Sequence, residues 1–247
     1  MKTVAQLKTK IYADGANKAS MLEMYKNPLI TGFTTNPSLM QRAGIMDYEA
    51  FALDILKHIP DRSISFEVFS DDFKEMYYQA LKIASWGEHV YVKIPVSNTK
   101  GEPTYDLIDK LAKAGVKQNV TALMTLDQVQ DVTAALAQGP SAYISVFAGR
   151  IADTGRDPIG IMTESVDILR PHNQLELIWA SPRELLNVFQ ADDIGCHIIT
   201  VTPDIIKKFD TVGKDLHEFS LETVKIFRED AIKAGFSLEI EATELEI

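Results

Sequence analysis

Short apolar runs rich in β-branched residues alternate with longer amphipathic stretches along the whole chain. The runs predict strands at Lys10–Asp14, Gly32–Asn36, Ser63–Phe69, Val90–Val96, Val116–Met124, Ala142–Ala148, Leu175–Ala180 and Cys196–Thr202. The stretches between predict helices at Asp71–Ala84, Thr104–Ala114, Leu126–Gln138, Pro158–Leu169, Pro182–Gln190 and Pro203–Phe209. Start signals agree with several of them. Ser70 and Asp71 precede one helix, Thr125 precedes Leu126, and Thr202 stands before a proline at the first helical position. Gly115 follows Ala114 as a helix stop should.

Strands that are each followed by a helix argue for parallel crossover units. About eight of them in 247 residues favour an α/β fold of one closed (β/α)8 TIM barrel over an open doubly wound sheet. No GxGxxG or GxxxxGK[ST] pattern occurs, which argues against dinucleotide and P-loop folds. The expected organisation is one domain over residues 1–235, including a C-terminal helix around Leu221–Ala234, followed by an acidic tail over 236–247.

Composition narrows the function classes. The chain is 46% apolar and 24% charged with a net charge of −10, so no electrostatic footprint for nucleic acid or anionic membrane is present. Its single cysteine, Cys196, excludes an intrachain disulfide, which suits a reducing compartment. Cys196 and His197 are strand neighbours that point to opposite faces, so they form no metal pattern. Neither an apolar leader nor a run of membrane-spanning length is visible, and a cytoplasmic protein is expected.

The most informative polar residue is Lys93, set in the strand Val90–Val96. Lysine is among the side chains least often buried, and its bland role here is to snorkel toward water. The alternative is an amine nucleophile, which forms a Schiff base with a carbonyl substrate when it is held out of solvent. In a barrel of this type the chemistry sits at the C-terminal strand ends. Those positions carry Asp14, Asn36, Glu67, Lys93, Asn119, Thr121, Ser145, Arg150 and Ser181. Singly each has a structural reading: Asp14 and Asn36 as turn residues, Thr121 by strand propensity, Arg150 as the ion-pair partner of Asp153. Together, in an interior otherwise filled by branched apolar side chains, they require a mutual network or a ligand. Glu67 and Asp14 are the candidate acid/base carboxylates, and Thr121 is placed to hold a water between carboxylate and lysine. This chemistry needs no metal and no organic cofactor.

The segments Tyr12-Ala13-Asp14, Thr34-Thr35-Asn36-Pro37-Ser38, Ser65-Phe66-Glu67, Val92-Lys93-Ile94-Pro95, Asn119-Val120-Thr121, Ser145 to Ile151 and Ala180 to Arg183 resemble the transaldolase family. The similarity is greatest to the short branch that includes fructose-6-phosphate aldolase, and it runs through roughly residues 10–235. The resemblance implies a class I barrel with Lys93 as the Schiff-base lysine. It implies Asp14 for the proton of the substrate C4 hydroxyl, with Glu67 and Thr121 holding the catalytic water. Asn36, Asn119 and Ser145 then bind donor hydroxyls, and Arg150, Ser181 and Arg183 hold the substrate phosphate. Glu67 and Phe147 resemble transaldolase, because the aldolase branch carries Gln and Tyr at these positions.

Expected from the resemblance is transfer of a dihydroxyacetone unit between sugar phosphates in pentose phosphate metabolism, by a homo-oligomer. Two departures touch the site. Val146 replaces the usual proline before Phe147, and Pro182 replaces the usual phenylalanine between Ser181 and Arg183. Proline fixes φ and lacks an N–H, so the anion site is reshaped and a sulfonated sugar becomes an alternative substrate. Free aldol cleavage and a catalytically silent sugar-phosphate-binding barrel are the other readings.

Overall fold

Eight parallel strands close into a ring in which each bonds to its sequence neighbours and the last bonds to the first. They are β1 (Lys10–Asp14), β2 (Ile30–Thr34), β3 (Ser63–Glu67), β4 (Val90–Pro95), β5 (Gln118–Leu123), β6 (Ala142–Val146), β7 (Leu175–Trp179) and β8 (Ile198–Val201). The computed structural model describes residues 2–238; the segment 239–247 of the expected acidic tail lies outside them. Helices fill the crossovers: α1 (Lys18–Tyr25), α2 (Pro37–Arg42), α3 (Tyr48–His58), α4 (Phe73–Ala84), α5 (Tyr105–Lys113), α6 (Leu126–Leu136), α7 (Ala148–Ala152), α8 (Ile159–Leu169), α9 (Leu186–Asp193) and α10 (Pro203–Ile206). Short polar side chains start many of them. Asn17, Asn36, Asp47, Asp72 and Thr125 each accept a hydrogen bond from a first-turn N–H.

Alternation along each strand decides what fills the ring. Register places Glu67 beside Lys93 and Lys93 beside Asn119, so these side chains share one inward row. Two residues earlier on the same face, the interior holds Tyr12, Tyr91 and Tyr143 with Ile178 and Ile198. This is the barrel floor. Tyr12 and Tyr143 share a hydroxyl–hydroxyl bond of 2.9 Å, Ser63 donates to Tyr12 at 2.8 Å, and the Tyr91 and Tyr143 rings stack. Gly32 is required there, because a Cβ would lie 2.5 Å from the Tyr12 ring.

The closed barrel is the fold expected from the sequence, but most strands end earlier than expected. Asn36 is not in a strand; it caps α2, while Phe147, Ala180 and Ser181 belong to connecting segments. The apolar runs continue past the ladder because the loops over the ring are themselves packed. Helices α1, α2, α3 and α7 have no counterpart among the helical stretches named from the sequence. The helix expected from Pro182 begins at Leu186, and Thr202 precedes α10 without a side-chain cap bond.

Among the described residues, 210–238 belong to a separate compact unit. It contains α11 (Leu216–Lys233), which starts earlier than expected because Asp215 accepts from the N–H groups of His217 and Glu218. Among the described residues no helix is long and apolar enough to cross a membrane.

Candidate active site

A cavity of about 540 Å³ opens at the C-terminal mouth of the ring. All eleven residues singled out from the sequence line it: Asp14, Asn36, Glu67, Lys93, Asn119, Thr121, Ser145, Phe147, Arg150, Ser181 and Arg183. Lys93 is 6% exposed and does not snorkel. Its Nζ donates to the Thr35 carbonyl at 2.9 Å and lies 3.1 Å from Glu67 Oε2. A buried ammonium requires such a carboxylate, since an unpaired charge away from water is strongly unfavourable.

Asp14 ends β1, partly buried, and accepts from Thr34 Oγ1 at 2.8 Å; Thr34 in turn bonds Thr200. Burial pushes its carboxyl above the usual aspartate range, opposed by the Lys93 charge and the Thr34 hydrogen bond. A carboxylate so placed is a stronger base than an exposed one, which suits it to take a proton from a substrate hydroxyl. The Thr121 hydroxyl is buried and has no hydrogen-bond partner among the described residues, so it is available to a substrate or water.

The amides divide their valences. Asn36 Oδ1 is committed to the Leu39 N–H, leaving its N–H₂ donors for a ligand. Asn119 donates to Ser65 at 2.9 Å and accepts from Ser145 at 2.7 Å, which fixes both groups in one chain across β3, β5 and β6.

The anion side differs from the pairing considered for Arg150. Asp153 binds Arg183, not Arg150, and accepts from two guanidinium nitrogens, Nη2 and Nε, the latter to Oδ1 at 3.0 Å. The planar fork matches a carboxylate in bidentate fashion. Arg150 makes no ion pair among the described residues and lies 5.9 Å from the Phe147 ring centroid. Ser181 has φ +59° and Ala122, on the β5 bulge, has φ +68°. Both line the cavity, where such backbone strain tends to gather. The loop carrying Ser181 approaches α7 so closely that a Cβ on Gly149 would lie 1.5 Å from the Ser181 carbonyl oxygen.

Sequence reading missed Thr34 and Thr200, whose inward parity with Asp14 was the available signal, and Arg42 at the end of α2. Arg42 follows β2 and Arg150 follows β6, so the two cations lie four strands apart in a ring of eight, on opposite sides of the same mouth.

A family model described as Transaldolase/Fructose-6-phosphate aldolase matches residues 11–246. A "Probable transaldolase" from Dehalococcoides mccartyi is 34% identical over 193 residues, covering 78% of this chain and 86% of that protein. Another from Thermoanaerobacter sp. is 32% identical over 230 residues, 93% of this chain and all of its own length. Among solved structures, N-acetylneuraminate lyase from Mycoplasma synoviae is similar in fold alone. It has a TM-score of 0.53 at 10% identity, over 92% of this chain and 83% of that one.

Proposed function

Since the chain belongs to the transaldolase/fructose-6-phosphate aldolase family, we propose that it transfers a dihydroxyacetone unit from a ketose phosphate like fructose 6-phosphate to an aldose phosphate, through a Schiff base on Lys93. The observation that carries this reading is the Lys93 amine, buried between the Glu67 carboxylate and the Thr35 carbonyl and opening on the cavity.

Lys93 passes its ammonium proton to the adjacent Glu67 carboxylate; the resulting neutral amine adds to the C2 carbonyl, and the carbinolamine loses its hydroxyl as water. Glu67 delivers the proton for that loss through a water held by Thr121. Asp14 takes the C4 hydroxyl proton as the C3–C4 bond breaks. The electron pair of that bond passes into the iminium to leave an enamine, and an aldehyde departs. The enamine then attacks the acceptor aldehyde, Asp14 returns its proton to the new alkoxide, and water releases the product from Lys93. Asn36, Asn119 and Ser145 hold the hydroxyls of the three-carbon unit, while Arg150, Ser181 and Arg183 hold the anionic end.

Borohydride reduction in the presence of fructose 6-phosphate, followed by peptide mass spectrometry, tests this. The expected result is a sugar-derived increment on Lys93, absent from Lys93→Ala, whose turnover falls by at least about 10⁴-fold. Equal turnover by Lys93→Ala would sink the reading. Free dihydroxyacetone formed without an acceptor would move the assignment to the aldolase branch.

One observation favours a second donor, a sugar with a sulfonate in place of the phosphate. Asp153 neutralises Arg183, so that pair and Arg150 together leave one net positive charge. A sulfonate carries one negative charge, whereas a phosphate monoester carries about 1.5 to 2 near neutrality. A kcat/KM for 6-deoxy-6-sulfofructose no higher than that for fructose 6-phosphate removes this reading.

A further inference from the structure

The β2–β3 ladder stops two rungs short beside the catalytic row. Thr35 N–H donates to the Ser65 carbonyl at 3.2 Å, and Thr34 stands opposite Ser65. Parallel pairing then assigns the next two rungs: Glu67 N–H to the Thr35 carbonyl, and the N–H of residue 37 to the Glu67 carbonyl. Neither forms. The Thr35 carbonyl is taken by Lys93 Nζ at 2.9 Å, and residue 37 is a proline with no N–H to give. Both backbone groups of Glu67 on that edge would be stranded.

A single hydroxyl replaces both rungs. Tyr48 Oη accepts the Glu67 N–H at 2.8 Å and donates to the Glu67 carbonyl at 2.8 Å. Tyr48 is the first residue of α3, and its ring is held edge-on by Phe66 and Phe69 and against Trp86. It does not line the cavity. We infer that Tyr48 is a positioning residue for the lysine chemistry. Its hydroxyl stands in for the missing ladder rungs, fixes the backbone from which the Glu67 carboxylate reaches Lys93, and leaves the Thr35 carbonyl to the amine.

This inference rests on the Schiff-base reading, so the test begins with wild-type protein and fructose 6-phosphate. A trapped adduct on Lys93 is the precondition, and its absence would count against that reading itself. Given the adduct, Tyr48→Phe removes one oxygen and keeps the ring packing. The expected result is a kcat and a trapping rate lower by about ten- to a hundredfold, the scale of a small misplacement of a catalytic group. KM stays within about twofold because Tyr48 does not line the cavity. In a Glu67→Gln background the same change should add less than about twofold, since both act through one group.

Replacing Tyr48 by p-aminophenylalanine, which retains a donor and an acceptor at the para position, should restore most of kcat. That arm, run at low temperature beside a circular-dichroism check, keeps the test decisive if the phenylalanine variant is unstable. Unchanged kcat in Tyr48→Phe would overturn the inference. So would a loss fully additive with Glu67→Gln, or no rescue by the amine.

Discussion

At the floor of the barrel, Tyr12, Tyr143 and Ser63 satisfy one another's hydroxyls, and Tyr91 completes the cluster by stacking. Two residues further along the same strands, the mouth uses the same kinds of polar groups and leaves several unsatisfied. Among the described residues, Thr121 Oγ1 is buried without a partner and Arg150 pairs with no carboxylate, while Ser181 and Ala122 hold left-handed backbone. The contrast shows that polarity inside a barrel does not by itself mark a site. A closed network stabilises, whereas unmet hydrogen-bonding capacity and strain are retained at a cost that a ligand can offset.

The sharpest way to break this comparison is Asp14→Asn. The proposed mechanism expects kcat to fall by about 10²- to 10⁴-fold, while stability at neutral pH rises. The sign follows from the raised folded-state pKa of Asp14. Its ionised form is less favourable in the fold than in the unfolded chain. Wild type therefore carries a penalty that grows as pH rises from the unfolded aspartate value of about 3.9 through the folded pKa, then stays constant. The asparagine variant lacks this penalty. Thermal melts should show a gain at pH 7 that closes as pH falls toward about 4. A variant less stable than wild type at pH 7 would place Asp14 with the satisfied floor groups.

Gly149→Ala is expected to act next most strongly. A Cβ there collides with the Ser181 carbonyl and approaches Arg183 Nε to 3.2 Å. The two anion-binding loops must part. KM for a phosphorylated donor should rise about tenfold or more, with a stability loss of about 1–3 kcal/mol in urea unfolding. An unchanged KM would detach these loops from substrate binding.

A matched pair separates the two ends directly. Tyr12→Phe leaves Ser63 and Tyr143 short of a partner and should lower stability by about 1–2 kcal/mol with kcat unchanged. Thr121→Val removes a hydroxyl that has no partner, so stability should hold or rise while kcat falls about tenfold. Reversed outcomes would dissolve the distinction between floor and mouth. The smallest effect is expected from Arg42→Ala: a few-fold rise in KM at low salt that disappears at high salt, with kcat unchanged. A salt-independent change would instead indicate a packing role.

Much of the site was legible in the chain because inward orientation is a local property. Lys93, Glu67, Asn119 and Asp14 could be assigned to one face by alternation of side chains within single strands. The resemblance to transaldolase then attached roles to them, and every residue so marked lines the same cavity. Elements with weak periodicity were less legible. Helices α2 and α7 span six and five residues, too short for a 3.6-residue repeat to declare itself.

The closed barrel and the strand that carries the lysine could be read from the chain, since they follow from periods of two and from short crossovers. The partners were settled by packing alone. Asp153 meets Arg183 rather than Arg150, Tyr48 completes the ladder at Glu67, and Thr200 joins Asp14 through Thr34. Each of these contacts joins groups on different elements, and the position of one relative to the other is set only when the ring closes. A side chain's facing is written in its own strand, whereas its partner is fixed by the packing of the whole.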